Sequence, residues 1–264
     1  MHRFKFVPAL VVLAALGSPG KAAEPLRSTF FDLAALPTVP TDAGTRAALL
    51  DGPTATFPRF SVHVSTLRPG GAAHPGTPGS HPQEEAILFL SGEGTVTLEG
   101  VDHPAGTGTL VFLAPNTHHN IASTGAQPLV YCVVDVYPAP APAGAASGSL
   151  LGSTVFDPGK LSRVPTKLGW RRSFIAAPTA TLQQFESHNS ALQEGRETGG
   201  NADPADEVIV ITDGVADVRV KTVTARLAAG SFYFQAAGDE HNIRNAGPGP
   251  CAYQVLKFVA AAGR

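Results

Sequence analysis

The sequence predicts an all-β protein made of two closed double-sheet barrels in tandem. Three observations predict it: the apolar stretches are short and bounded by turn residues, none keeps a 3.6-residue period for long, and the second half of the chain repeats the first.

The strand signals come first. Gly 28 and Pro 23 in 264 residues are spread among short runs rich in Val, Thr and Phe, which favours short strands joined by turns. The first half gives FSVHVSTL, AILFL, TVTLEG, LVFLA and LVYCVV; the second gives VIVIT, ADVRV, SFYFQ and AYQVLKF in corresponding places. Several such strands in each half suit a closed double-sheet barrel, which removes exposed sheet edges.

The repeat is read directly. At an offset of 125, Ser28, Thr29, Phe31, Asp32, Val39, Pro40, Thr41, Gly44 and Arg46 meet Ser153, Thr154, Phe156, Asp157, Val164, Pro165, Thr166, Gly169 and Arg171. PTAT at Pro53 to Thr56 meets PTAT at Pro178 to Thr181, and His63, Ser65, Leu67 and Gly70 meet His188, Ser190, Leu192 and Gly195. Beyond this point the offset becomes 122, so the first copy carries three extra residues between Gly70 and Gly79. Pro82, Glu85, Gly92, Gly108, His119, Asn120 and Tyr131 then meet Pro204, Glu207, Gly214, Gly230, His241, Asn242 and Tyr253. The segment from Ser28 to PTAT reads as the leading arm of each copy, expected to pack across the neighbouring barrel.

Between the copies, YPAPAPAGAASGS cannot pack as a strand or helix and reads as a linker. The opening has His2, Arg3 and Lys5 ahead of an apolar run from Phe6 to Leu16, then small residues, the layout of a secretory signal peptide. The expected organisation is a signal peptide over 1–23, an N-terminal barrel over 24–138, a linker over 139–152 and a C-terminal barrel over 153–264. Export to the periplasm or beyond follows from this reading. An apolar run of 11 residues is too short to span a bilayer, which needs about 20, and no cysteine follows it for lipidation, so no membrane anchor is expected in the mature chain.

With 19 Lys plus Arg against 21 Asp plus Glu and no dense basic run past the N-terminus, nucleic acid and anionic membrane surfaces are excluded as expected partners. A small molecule is the expected one, and self-association as a homodimer is left open. Export permits a disulfide, but Cys132 and Cys251 fall at different positions of the two repeats, which favours buried unpaired thiols.

The spacing of His, Glu and Gly resembles the two signatures of the cupin superfamily, G-x5-H-x-H-x3-4-E-x6-G and G-x5-P-x-G-x2-H-x3-N. In the first copy these positions read Gly70, then past a three-residue insertion Gly79, His81, Glu85 and Gly92, followed by Gly108, Ala114, Asn116, His119 and Ser123; the second keeps the spacing with altered residues, reading Gly195, Asn201, Asp203, Glu207 and Gly214, then Gly230, Ala236, Gly238, His241 and Asn245. The resemblance covers nearly all of the mature chain and implies two double-stranded β-helix (jelly-roll) barrels. It further implies that His81, Glu85 and His119 hold a divalent metal ion, with Fe, Mn, Ni and Zn as candidates. Strand residues two or four apart share a face, so His81 and Glu85 can enter one barrel together. Gly79 stands where the family usually has a fourth ligand, and His74 in the lengthened loop is the candidate substitute.

Register selects His119 over His118, which is expected to face away; Glu84 reads as a surface carboxylate. In the second copy, Asp203, Glu207 and His241 form a weaker candidate metal site, with a purely structural hydrogen-bonding role as the other reading. The matched pair His63 and His188 are candidates for supporting or general-base roles near the sites. Phe89, Phe112, Phe232 and Phe234 alternate like core residues, with Phe89 or Phe112 offered as a pocket wall.

The functional expectation is a metal-dependent enzyme on a small organic molecule, dioxygenase-like ahead of decarboxylase or isomerase. The alternative is a non-catalytic module that captures a small ligand or metal. A third reading leaves both barrels purely structural.

Overall fold

The computed structural model describes residues 23–137 and 150–261. The expected signal peptide and most of the expected linker lie outside these residues.

The chain is all-β, in two similar units. In the first, a large sheet in the order Thr154–Phe156, Leu110–Leu113, Glu84–Ser91, Leu129–Tyr137, Arg59–Leu67, Gly44–Gly52 and Val39–Thr41 faces a small one of Val101–Gly106, Glu93–Leu98 and His119–Ser123. In the second, the large sheet runs Thr29–Asp32, Ser231–Gln235, Asp206–Asp213, Cys251–Ala260, Leu182–Leu192, Gly169–Ala177 and Val164–Pro165. It faces a small sheet of Asn201–Ala202, Glu240–Asn245, Val215–Val220 and Val223–Ala228.

Alternation in the sequence explains the inner packing. In Glu93–Leu98 the side chains of Val96 and Leu98 point inward while Thr95 and Thr97 stay partly exposed. They meet Ile87, Phe89, Val111, Ile121 and Tyr131 inside the first unit; Ile209, Val218, Tyr233 and Ile243 do the same in the second. Gly44 and Gly169, equivalent in the repeat, let the chain cross close to its neighbour: a Cβ would lie 1.8 Å from the Thr66 carbonyl oxygen at the first and 2.1 Å from that of Ala191 at the second.

A third core lies between the units. The outer faces of the two large sheets contribute Phe60, Val62, Leu88, Phe112 and Val134 from one side and Phe185, Val210, Phe232, Phe234 and Phe258 from the other. The Phe112 and Phe185 rings stack at 5.2 Å, and Phe60 meets Phe258 edge-on at 5.4 Å. Each fully buried aromatic contributes about 1.5–3 kcal/mol by removal from water. Phe112, Phe232 and Phe234 therefore belong to this shared core and Phe89 to the interior of the first unit; neither Phe89 nor Phe112 lines the site cavity.

The leading arms are exchanged. Thr29–Asp32 pairs with Ser231–Gln235 of the second unit, and Thr154–Phe156 pairs with Leu110–Leu113 of the first. The repeated PTAT segments then clamp across. Thr54 Oγ1 donates to Asp206 Oδ2 at 2.6 Å, while Thr179 Oγ1 donates to Glu84 Oε2 at 2.8 Å and the Thr181 amide to Glu84 Oε1 at 3.1 Å. Glu84 is thus a buried acceptor and not the surface carboxylate expected of it, because the large sheet is covered on both faces.

Cys132 lies in the shared core and Cys251 inside the second unit, and both are free thiols. No described helix is long and apolar enough to cross a membrane.

Candidate metal centre

Three separate stretches bring four side chains to one wall of the first unit. Glu85 comes from the strand Glu84–Ser91, His119 opens the strand His119–Ser123, and His74 and His81 come from the loop between Arg59–Leu67 and Glu84–Ser91. Backbone bonds seat this loop on the small sheet: Gly79 N donates to the His119 carbonyl at 2.8 Å and His119 N to the Gly79 carbonyl at 2.9 Å. His74 N donates to Asn120 Oδ1 at 3.0 Å. The three extra residues of the first copy thus turn back to present His74.

The ring nitrogens of His74, His81 and His119 include one from each that all lie within 4.8 Å of one another. Glu85 Oε1 is 3.7 Å from His81 Nε2, and Oε2 is 3.8 Å from His119 Nε2. A Cβ on residue 79 would fall 2.4 Å from His74 Nε2, so the His74 ring occupies the space that a side chain at 79 would need. The substitution of ring for ring anticipated from the lengthened loop is therefore present as geometry. His118 is exposed while His119 is buried, as the repeat register requires.

Burial favours the lone-pair-bearing forms of His74 and His119. Burial, followed by the neighbouring His81 charge, holds His74 below the usual histidine range. Burial also lowers His119, whose Nδ1 donates to the Thr117 carbonyl at 3.0 Å, leaving Nε2 bare toward the centre. Burial, then the adjacent Asp135 charge, pushes Glu85 up to about 8. Gln83 Nε2 steadies this acidic pair, donating to Glu85 Oε1 at 3.1 Å and Asp135 Oδ1 at 3.3 Å.

These residues fit a divalent ion. Bonds of about 2.1 Å hold two donor atoms no more than about 4.2 Å apart, so side-chain shifts under about 1 Å would close the set. His119 already has the second hydrogen bond that such ligands need.

The centre opens into a cavity of about 470 Å³ lined by Arg46, His63, Ile87, Ile121, Tyr131 and Val133, among others. His63 is half-buried; its Nδ1 accepts from Arg46 Nη2 at 3.0 Å and lies 3.9 Å from Asp135 Oδ2. Burial, then the Arg46 charge, lowers His63 to about 4, so it is neutral near pH 7.

The second unit holds a different arrangement at the matched positions. Lys257 Nζ forms an ion pair with Asp203 Oδ2 and lies 3.9 Å from Glu207 Oε1, so an ammonium stands among the oxygens offered to a metal ion. His241 lines the same cavity, of about 480 Å³, and Asn201 is exposed. His188 Nδ1 lies 3.5 Å from Glu186 and 3.1 Å from Arg171. Sequence reasoning missed Lys257 and Asp135, which occupy equivalent positions at the 122-residue offset; a charge reversal between matched strand positions was the available signal.

Fold and site together define a double-sheet barrel with a three-imidazole, one-carboxylate centre at its mouth. Residues 63–137 match the family model described as the cupin domain. No curated protein matches the sequence. Among solved structures, the chain is similar to protein Ylba from E. coli, with a TM-score of 0.72, 12% identity and coverage of 94% of this chain and 97% of that one. It is also similar to a Pseudomonas aeruginosa protein described as glyoxylate induced, with a TM-score of 0.69, 16% identity and coverage of 96% and 95%. Oxalate decarboxylase of Lactobacillus farciminis, in complex with formate, gives a TM-score of 0.65 at 15% identity over 91% of this chain and 87% of that one. These likenesses establish the shared fold.

Proposed function

We propose that His74, His81, His119 and Glu85 hold a divalent metal ion, and that the protein is an exported enzyme acting with it on a small organic molecule. The observation that carries this reading is the convergence of three imidazoles and one carboxylate, from separate stretches, on a cavity large enough for a small ligand. Such a donor set suits Fe, Mn, Ni or Zn. When bound, the ion supplies Lewis acidity and, if redox-active, an electron donor or acceptor.

The remaining residues serve substrate and geometry. Gln83 and Asp135 orient the Glu85 carboxylate, and the Thr117 carbonyl fixes the His119 ring. Ile87, Ile121 and Val133 give the cavity an apolar wall that excludes water. A dioxygenase-like oxidation is the favoured reaction and decarboxylation its nearest rival. The rival draws support from the oxalate decarboxylase of L. farciminis, which has the same fold.

Elemental analysis of the purified full chain tests the centre. One equivalent of metal per chain is expected, lost in His81→Ala and His119→Ala; wild type without stoichiometric metal would refute the proposal. Parallel oxygen-uptake and CO2-release assays on catechols, flavonoids and small keto acids then separate oxidation from decarboxylation.

A further inference from the structure

The two units differ in how they treat an arginine that both possess. Arg46 and Arg171 are equivalent at the 125-residue offset, and each places a guanidinium nitrogen beside an equivalent histidine, His63 at 3.0 Å and His188 at 3.1 Å. In the second unit the protein's own carboxylate closes the arginine: Arg171 Nη2 donates to Glu186 Oε1 at 2.7 Å. In the first unit the residue equivalent to Glu186 is Ser61, which carries no charge and donates to Asp135 Oδ2 at 2.7 Å. Among the described residues no carboxylate forms an ion pair with Arg46, which lines the cavity that holds the histidine centre.

The two differences go together. Where the central cation position is filled by Lys257, the arginine is neutralised from within; where three histidines remain, it is left without an anion. The acidic groups of the first cavity do not replace that anion. Glu85 and Asp135 are tied through Gln83, Asp135 Oδ2 stops 3.9 Å from the His63 Nδ1 that Arg46 contacts, and Asp42 forms no bond to the guanidinium. The side of the cavity with the histidines and Glu85 is therefore built for a cation and the Arg46 side for an anion.

We infer that Arg46 is a specificity-determining residue, and that the ligand of the first cavity is a small carboxylate whose acid group is held by Arg46 while its other polar end faces the histidine centre. This rests on the metal-site reading above. A planar guanidinium with several free donors pairs with a carboxylate through two parallel hydrogen bonds, which an amide cannot match. Ser65 and Tyr131 line the same cavity as further polar contacts.

The test uses purified, metal-replete full chain in isothermal titration calorimetry with malonate, succinate and glutarate against malonamide, succinamide and glutaramide. The best dicarboxylate is expected to bind at least about tenfold more tightly than its diamide. Arg46→Met should remove that preference, a loss of about ten- to hundredfold for a charge-assisted pair, without changing metal content. Arg46→Lys should keep part of the preference, and Arg171→Met should leave it intact. Melting curves confirm that each variant folds; the exposed position of Arg46 makes the substitutions tolerable. Metal at full occupancy with diamides binding as tightly as diacids, or with Arg46→Met unchanged, overturns this inference alone. Wild type lacking metal overturns it together with the reading beneath it.

Discussion

Gly79→Ala separates the geometry of the centre from the stability of the fold. Residue 79 sits on an extended backbone outside the positive-φ glycines, so alanine introduces no backbone strain. Its Cβ would nevertheless fall 2.4 Å from His74 Nε2, 2.6 Å from Cδ2 and 2.7 Å from Cε1. Non-bonded atoms rest at about 3.5–4.0 Å, so the ring must retreat by about 1 Å or more. Because His74 is partly exposed on a loop, the retreat should cost less than about 1 kcal/mol in folding, the range of ordinary surface changes. The same movement takes one imidazole out of the set. Disturbing even an outer partner of a metal ligand costs about 10–100-fold in affinity, and a displaced ligand should cost at least as much. Competition with a chelator, read beside urea denaturation of the metal-free protein, measures both quantities. The expected result is a tenfold or larger loss of metal affinity with near-native stability, matched by His74→Ala. Gly79→His combined with His74→Ala should recover affinity by returning the ring to the position usual in cupins. Wild-type affinity in Gly79→Ala would show that His74 takes no part in the centre.

Lys257→Met keeps the aliphatic stem but leaves Asp203 and Glu207 without a counter-charge; a loss of about 3 kcal/mol in urea denaturation is expected, partly restored by added Mn2+ or Zn2+, and no restoration would show that the ammonium does not stand in for an ion. Thr179→Val removes the hydroxyl bond to buried Glu84 and should cost about 1–3 kcal/mol, with Thr54→Val costing a similar amount at Asp206 and the two losses adding, since the networks are separate. Glu186 is held down to about 2 by the hydrogen bond from His188, with Lys257 and Arg171 assisting. A depressed carboxylate adds stability that is present above its unfolded value near 4.5 and lost as pH falls through about 2. Glu186→Gln should therefore destabilise by about 2 kcal/mol at pH 7, after allowance for solvent screening, with the difference from wild type shrinking toward zero at low pH; a difference independent of pH would contradict the assignment.

The internal repeat was legible in the sequence because matched residues keep one register on either side of the loop, and His81, Glu85 and His119 stood out through the resemblance of their spacing to the cupin signatures, although His81 lies in the loop ahead of the strand that carries Glu85. His74 was visible only as a candidate, since a loop has no period from which to read direction. The reading of Glu84 failed for a physical reason. Period-two reasoning assumes that one face of a strand meets water, whereas Glu84–Ser91 is buried over most of its length, one face toward the cavity and the other toward the partner unit. The same cause placed Phe112 in the shared core. Lys257 was hidden because no local pattern announces a cation that pairs with residues some fifty positions away.

The exchanged arms set the terms on which the two halves exist. Two separate polypeptides trading strands in this way would depend on concentration, and dilution would dissolve the arrangement. Within one chain the trade is fixed at a high effective concentration however dilute the protein becomes. The second half then acts as a permanently tethered partner subunit. Its contribution to the shared core comes from Phe185, Phe232, Phe234 and Phe258, none of which lines its own cavity. That cavity is thus free to change its chemistry, as Lys257 shows, without loosening the half that carries the histidines.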